Sequence, residues 1–157
     1  MRSAIKLLPL LCVFFAVATL EAGAASCNIS NTGVAFGTYY PLEGDQRDTI
    51  GTIVITCLGQ IGDAVSYSLQ LDTIGQRGVY RVMTNGSHVL NYILFTDNSY
   101  ARVWGDGSGG SFVVSDSYTM ATSSIVRSYP IFGRIPAGQN RAIAGVYISS
   151  LTITLAY

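Results

Sequence analysis

Val65-Ser66-Tyr67-Ser68-Leu69-Gln70-Leu71 carries apolar side chains at every second position. That period of two is the signature of a β-strand with one buried and one wet face. Leu151-Thr152-Ile153-Thr154-Leu155-Ala156-Tyr157 repeats the pattern at the end of the chain. Further β-rich runs lie at Val34–Phe36, Ile50–Cys57, Val79–Met83, Leu90–Phe95, Phe112–Met120 and Ile125–Phe132. Turn residues bound them, among them Asn85-Gly86, Asp106-Gly107, Gly109-Gly110 and Pro136-Ala137-Gly138.

Short strands at regular spacing, with no credible helix after the first two dozen residues, predict an all-β fold, a two-sheet sandwich of immunoglobulin-like character. The final run reaches Tyr157 with no polar tail behind it. It is therefore expected to form a sheet edge without the charge or proline that normally blunts one.

The first residues address the compartment. Arg2 and Lys6 form a positive region, Leu7–Leu20 an apolar one, and Ala22-Gly23-Ala24 a small-x-small cleavage pattern, so residues 1–24 read as a secretory signal peptide. A membrane span is the competing reading. Against it, the run contains Pro9, ends at Glu21, and is shorter than the roughly 20 residues a bilayer needs. Residues 25–157 then form one domain with seven arginines, no lysine and eight carboxylates. Such a near-neutral chain offers no electrostatic footprint for nucleic acid or anionic lipid.

Cys27 and Cys57 remain after cleavage, and an even pair in an oxidising compartment reads as one disulfide. A second reading makes Cys27 a lipidated N-terminus, because Ala24-Ala25-Ser26-Cys27 loosely follows a lipobox. It lacks the usual large aliphatic residue and would leave Cys57 a free thiol.

Little in the inventory supports catalysis or a cofactor. His88 is the sole histidine, which removes mechanisms built on a histidine pair. Gly105-Asp106-Gly107-Ser108-Gly109-Gly110 is followed by the β-rich Phe112-Val113-Val114, whereas a dinucleotide loop opens a helix. Glu43, Asp45 and Asp48 share a loop with Arg47, the arrangement of a solvated surface rather than of two carboxylates facing across a cleft. Tyr39, Tyr40 and Trp104 sit beside turns and are candidates for adhesive contact, although burial in the core is the commoner use of such a tryptophan.

Motif order carries a resemblance. Cys27, Val34-x-Phe36-Gly37, Ile53-x-Ile55-x-Cys57, Arg81-Val82-Met83-Thr84-Asn85-Gly86 and Leu90-Asn91-Tyr92-x-Leu94-Phe95-Thr96-Asp97 follow one another. Val103-Trp104-Gly105-Asp106-Gly107, Pro130-Ile131-Phe132-Gly133-Arg134-Ile135-Pro136, Gly145-x-Tyr147 and Leu151-Thr152-Ile153-Thr154-Leu155 complete the series. This order resembles the spore coat protein U family, which includes subunits of Csu-type archaic chaperone–usher pili.

The resemblance implies an incomplete sandwich, lacking one strand, with a disulfide at Cys27 and Cys57. A hydrophobic groove is then filled first by a periplasmic chaperone and later by the donor strand of a neighbouring pilus subunit at the outer-membrane usher. On that pattern Val34, Phe36, Leu151, Ile153 and Leu155 are the expected groove walls, and Tyr157 the expected chaperone contact. The implied location is the periplasm in transit, then the cell surface.

Cleavage at Ala24 leaves Ala25-Ser26 ahead of Cys27, whereas a donor strand needs about ten residues. An acceptor without a donor is expected at the tip or terminus of a fibre. The alternative is a secreted coat protein that completes its own fold.

Overall fold

The computed structural model describes residues 25–72 and 78–157. The expected signal peptide lies outside the described residues. Eight strands follow one another: β1 (Ser26–Asn31), β2 (Arg47–Leu58), β3 (Ala64–Leu71), β4 (Arg81–Asn85), β5 (His88–Phe95), β6 (Val114–Thr119), β7 (Ser124–Ile135) and β8 (Ile153–Ala156). They form two antiparallel sheets, ordered β1-β2-β7-β5-β4 and β6-β3-β8. The all-β, open two-sheet sandwich with one disulfide agrees with an incomplete immunoglobulin-like fold.

The spine is the pair β2 and β7, each 12 residues long and paired from Arg47 opposite Ile135 to Leu58 opposite Ser124. Alternation along these strands turns Ile53, Ile55 and Cys57, with Ile131 and Ile135, into the interior. Val65, Tyr67, Leu69 and Leu71 of β3 meet them from the facing sheet, all buried. Cys27 and Cys57 are directly opposite in the β1–β2 ladder and form the disulfide, so Cys27 is not a free thiol open to lipidation.

Trp104 ties the layers together. Its side chain is 2 % exposed, its Nε1 donates to Leu69 O at 3.1 Å, and its backbone N–H donates to Leu94 O at 2.8 Å. Beside it lies Arg81, a buried cation whose Nη1 donates to Asp72 O at 2.8 Å and Nη2 to Trp104 O at 3.3 Å. The Asp72 carboxylate lies 3.9 Å from that guanidinium and accepts the Thr152 N–H. Burial draws the Arg81 pKa down, opposed by Tyr92 and Asp72.

Two sheet borders are closed by short-range chemistry. Continuing the β5–β7 register beyond Ile93 opposite Arg134 brings Asn91 opposite Pro136, which has no N–H to donate. The Gln139 side chain replaces the missing partner: its Nε2 donates to Asn91 O at 2.9 Å and its Oε1 accepts the Asn91 N–H at 2.7 Å. Outside β4, Thr84 and Ile148 exchange two backbone hydrogen bonds of 2.9 and 3.1 Å.

Two expectations of strand placement change. β1, Ser-Cys-Asn-Ile-Ser-Asn, pairs along its length with β2 although its sequence is mostly polar. Val34–Phe36 forms no ladder and instead crosses the inner face of the larger sheet.

Candidate functional site

A cleft of about 970 Å³ opens between the sheets at the end away from the disulfide. One wall is the segment Gly33–Tyr40 and the other is Ala142–Ile153, while Ile53, Ile131 and Leu94 contribute to the floor. Among the described residues the larger sheet is uncovered here because β8, the one strand beyond β3 on this side, is four residues long and borders its sheet.

The first wall is a strap after β1. Thr32 still bonds to Thr52 across the β2 edge, with its N–H donating to Thr52 O at 3.0 Å. Gly33 then adopts φ +69° and the chain turns inward, a conformation that favours glycine. Val34 and Phe36 settle against the inner faces of β2 and β7, and Gly37 at φ +68° turns the chain out again. Strap carbonyls are satisfied by side chains, since Thr49 Oγ1 donates to Ala35 O at 2.8 Å and Arg47 Nε to Phe36 O at 2.9 Å.

The second wall ends in β8, which pairs with β3 on one side only. Asp72 N–H donates to Thr152 O, so Thr152, Thr154 and Ala156 turn their backbone groups toward β3. By antiparallel alternation Ile153 and Leu155 direct their N–H and C=O to the uncovered border. Their side chains point inward, half-buried against the core.

Among the described residues no charged side chain lines the cleft, and three of its tyrosine hydroxyls are occupied within the chain. Tyr92 Oη donates to Ser149 Oγ at 2.9 Å, Tyr39 Oη to Pro136 O at 2.9 Å, and Tyr147 Oη to Ile143 O at 3.2 Å. Burial raises the Tyr92 pKa, so that hydroxyl stays protonated and donating. The arrangement offers an apolar trough beside a row of backbone donors and acceptors unpaired among the described residues, which fits an extended, uncharged polypeptide.

Val34, Phe36, Leu151 and Ile153, distant in sequence, all line this one cleft. Leu155 faces the same way along β8 but packs outside the cleft. Tyr157 lies beyond the end of β8, 73 % exposed. Of the aromatic candidates, Tyr40 is exposed at the rim and Tyr39 is half-buried. Trp104 is inside the protein, which removes it from any adhesive surface.

Asp48 leaves the carboxylate cluster it shares with Glu43 and Asp45 in sequence. Its carboxylate accepts Arg134 Nε and Nη2, both at 2.7 Å, and that guanidinium lies 3.8 Å over the Tyr100 ring. Among the described residues no group of three or more His, Cys, Asp or Glu is arranged to hold a metal.

Sequence reasoning gave no site role to Gly51, Gly133, Tyr92 or Ser149, although Tyr92 and Gly133 stand in the motif series. The signal that marks the glycines is their position inside strands, where glycine commonly indicates close approach by another segment.

A search of curated proteins gave no match. Among solved structures, the chain is similar to one in the crystal structure of the CsuC–CsuE chaperone–tip adhesion subunit pre-assembly complex from archaic chaperone–usher Csu pili of Acinetobacter baumannii. Identity is 21 %, the TM-score is 0.57, and the match covers 85 % of this chain and 40 % of that one. At this identity the likeness shows a shared fold, and the chain spans about two fifths of its relative's length. The family model described as Spore Coat Protein U domain matches residues 13–154, nearly the whole sequence, and the chain belongs to that family.

Proposed function

We propose that this chain is a structural, non-catalytic subunit of an archaic chaperone–usher pilus or a related surface structure. Its cleft receives a β-strand from another polypeptide. The observation that carries this reading is the juxtaposition of an uncharged cleft with the unpaired border of β8. Strand addition needs both: backbone bonds supply affinity, and alternate side chains fill the interior. The family and the fold shared with a chain of a pilus pre-assembly complex support it.

On this reading a periplasmic chaperone occupies the cleft first, an outer-membrane usher catalyses exchange, and a neighbouring subunit supplies the final strand. Val34, Phe36, Leu151 and Ile153 form the receiving surface inside the cleft, Leu155 continues it along β8, and Tyr157 is the chaperone's grip. The subunit is exported and ends at the cell surface. If processing stops at Ala24, two residues precede Cys27 and the subunit accepts a strand without giving one, as a distal or terminating unit does. Mass determination of the mature N-terminus tests that position.

Co-expression tests the main proposal. With a cognate chaperone the chain is expected to be recovered as a soluble complex, and alone as an unstable or aggregating species. A stable monomer that ignores donor strands would favour the second reading, a self-completed coat protein. The strap favours that alternative in one respect, because Val34 and Phe36 already cover part of the interior.

A further inference from the structure

The depth of the cleft is set by two residues without side chains. Gly51 on β2 and Gly133 on β7 both face the interior beneath the strap. A Cβ at Gly133 would fall 2.7 Å from Val34 Cγ1 and 2.9 Å from Phe36 Cζ. At Gly51 it would fall 2.8 Å from Val34 Cγ2 and also strike Gly33 O. Contacts this short are repulsive, so a larger residue at either position lifts the strap. With the sheet behind it, the strap moves into the cleft.

That displacement does not stay local. Phe36 stands edge-on to Tyr92, with ring centroids 5.8 Å apart and planes at 67°. Tyr92 in turn bonds Ser149 on the opposite wall. Strap, floor and far wall are therefore one connected set of contacts.

We infer that Gly51 and Gly133 are specificity-determining positions: by sinking Val34 and Phe36 into the sheet, they fix the size of the inward side chain that an incoming strand presents beside the strap. This rests on the strand-accepting reading. The occupant it selects is an extended, uncharged segment with a bulky apolar residue at that point. A shallower cleft would select a small one.

Gly133→Ala is the informative variant, because part of the Gly51 clash is with a backbone oxygen that no trimming relieves. The probes are capped heptapeptides of alternating threonine and valine whose central residue is alanine, leucine or phenylalanine. Each peptide is present while the denatured full chain is refolded, and binding is read from the fluorescence of Trp104, the single tryptophan, which borders the cleft. Gly133→Ala is expected to lower the preference for the leucine and phenylalanine peptides over the alanine peptide by about tenfold, the factor given by roughly 1.4 kcal/mol of overpacking.

Adding Val34→Ala, which removes the nearest clashing methyl, restores that preference. Val34→Ala alone deepens the cleft and shifts preference toward phenylalanine, a readout independent of whether Gly133→Ala folds. An equal loss for all three peptides, or no restoration in the double variant, overturns the inference while leaving strand acceptance intact. Failure of every peptide to bind the unaltered chain overturns both.

Discussion

The half of the sandwich that holds the disulfide and the half that holds the cleft share β2 and β7, yet their interiors are completed differently. In the disulfide half, side chains from both sheets meet. Tyr67 and Tyr129 hydroxyls lie 2.6 Å apart, and Tyr129 Oη donates to Asp116 Oδ2 at 2.6 Å. Arg127 approaches the same carboxylate at 3.7 Å and lies 4.9 Å over the Tyr118 ring. Burial raises the pKa of both Tyr67 and Tyr129, and the Asp116 bond raises that of Tyr129 further. In the cleft half the larger sheet presents equally apolar residues, but a strap and an irregular segment face it. The difference teaches that apolar patterning decides which side chains point inward, while strand supply decides whether they are covered.

Four measurements bear on that contrast. The largest effect belongs to the disulfide. Joining residues separated by 30 in sequence, it is expected to contribute about 3 to 4 kcal/mol. Denaturant unfolding of Cys27→Ala/Cys57→Ala should show that loss, and an unchanged midpoint would mean that the closed half does not anchor the fold. Arg81→Met comes next, at about 3 kcal/mol, because it strips the counter-ion from Asp72 and two backbone carbonyls of their donor. Amide exchange should then rise around Thr152 and β8 more than along β2. Uniform loosening would erase the distinction between the halves.

Tyr129→Phe is expected to cost about 1.5 kcal/mol, since a donor to a carboxylate disappears from a partly buried cluster. Its effect should fall on the disulfide half and leave peptide binding in the cleft unchanged. Asp48→Asn, on the outer face and in neither interior, should cost under about 1 kcal/mol. The two hydrogen bonds from Arg134 hold the Asp48 carboxyl below its ordinary range. A carboxylate depressed in the folded state stabilises above the unfolded pKa, about 4, and loses that contribution as pH falls through the folded value. Stability curves of Asp48→Asn and the unaltered chain should therefore differ at pH 7 and converge on acidification.

Much of the fold is written in alternation that local reading detects. Val65, Tyr67, Leu69 and Leu71 are buried as their spacing requires, and β8 borders its sheet as expected of the last β-rich run. β1 escaped detection because its contribution is a backbone ladder and one cysteine, which polar side chains do not advertise. Val34–Phe36 carried a misleading signal: alternation reported that Val34 and Phe36 face inward, not that their backbone pairs. For the cleft residues Val34, Phe36, Leu151 and Ile153, alternation spoke to each one separately, and their meeting was expected from the family resemblance alone, because it depends on long-range closure. The Asp48–Arg134 pair spans 86 positions, and nothing near either residue announces the other.

Gln139 bears on where the proposed incoming strand attaches. One amide satisfies both backbone groups of Asn91 where Pro136 ends the ladder. A visiting strand finds no vacancy there, and the Thr84–Ile148 bonds occupy part of the neighbouring border as well. On the proposed strand-accepting reading, growth is then directed to β8, whose single-paired border runs beside the cleft.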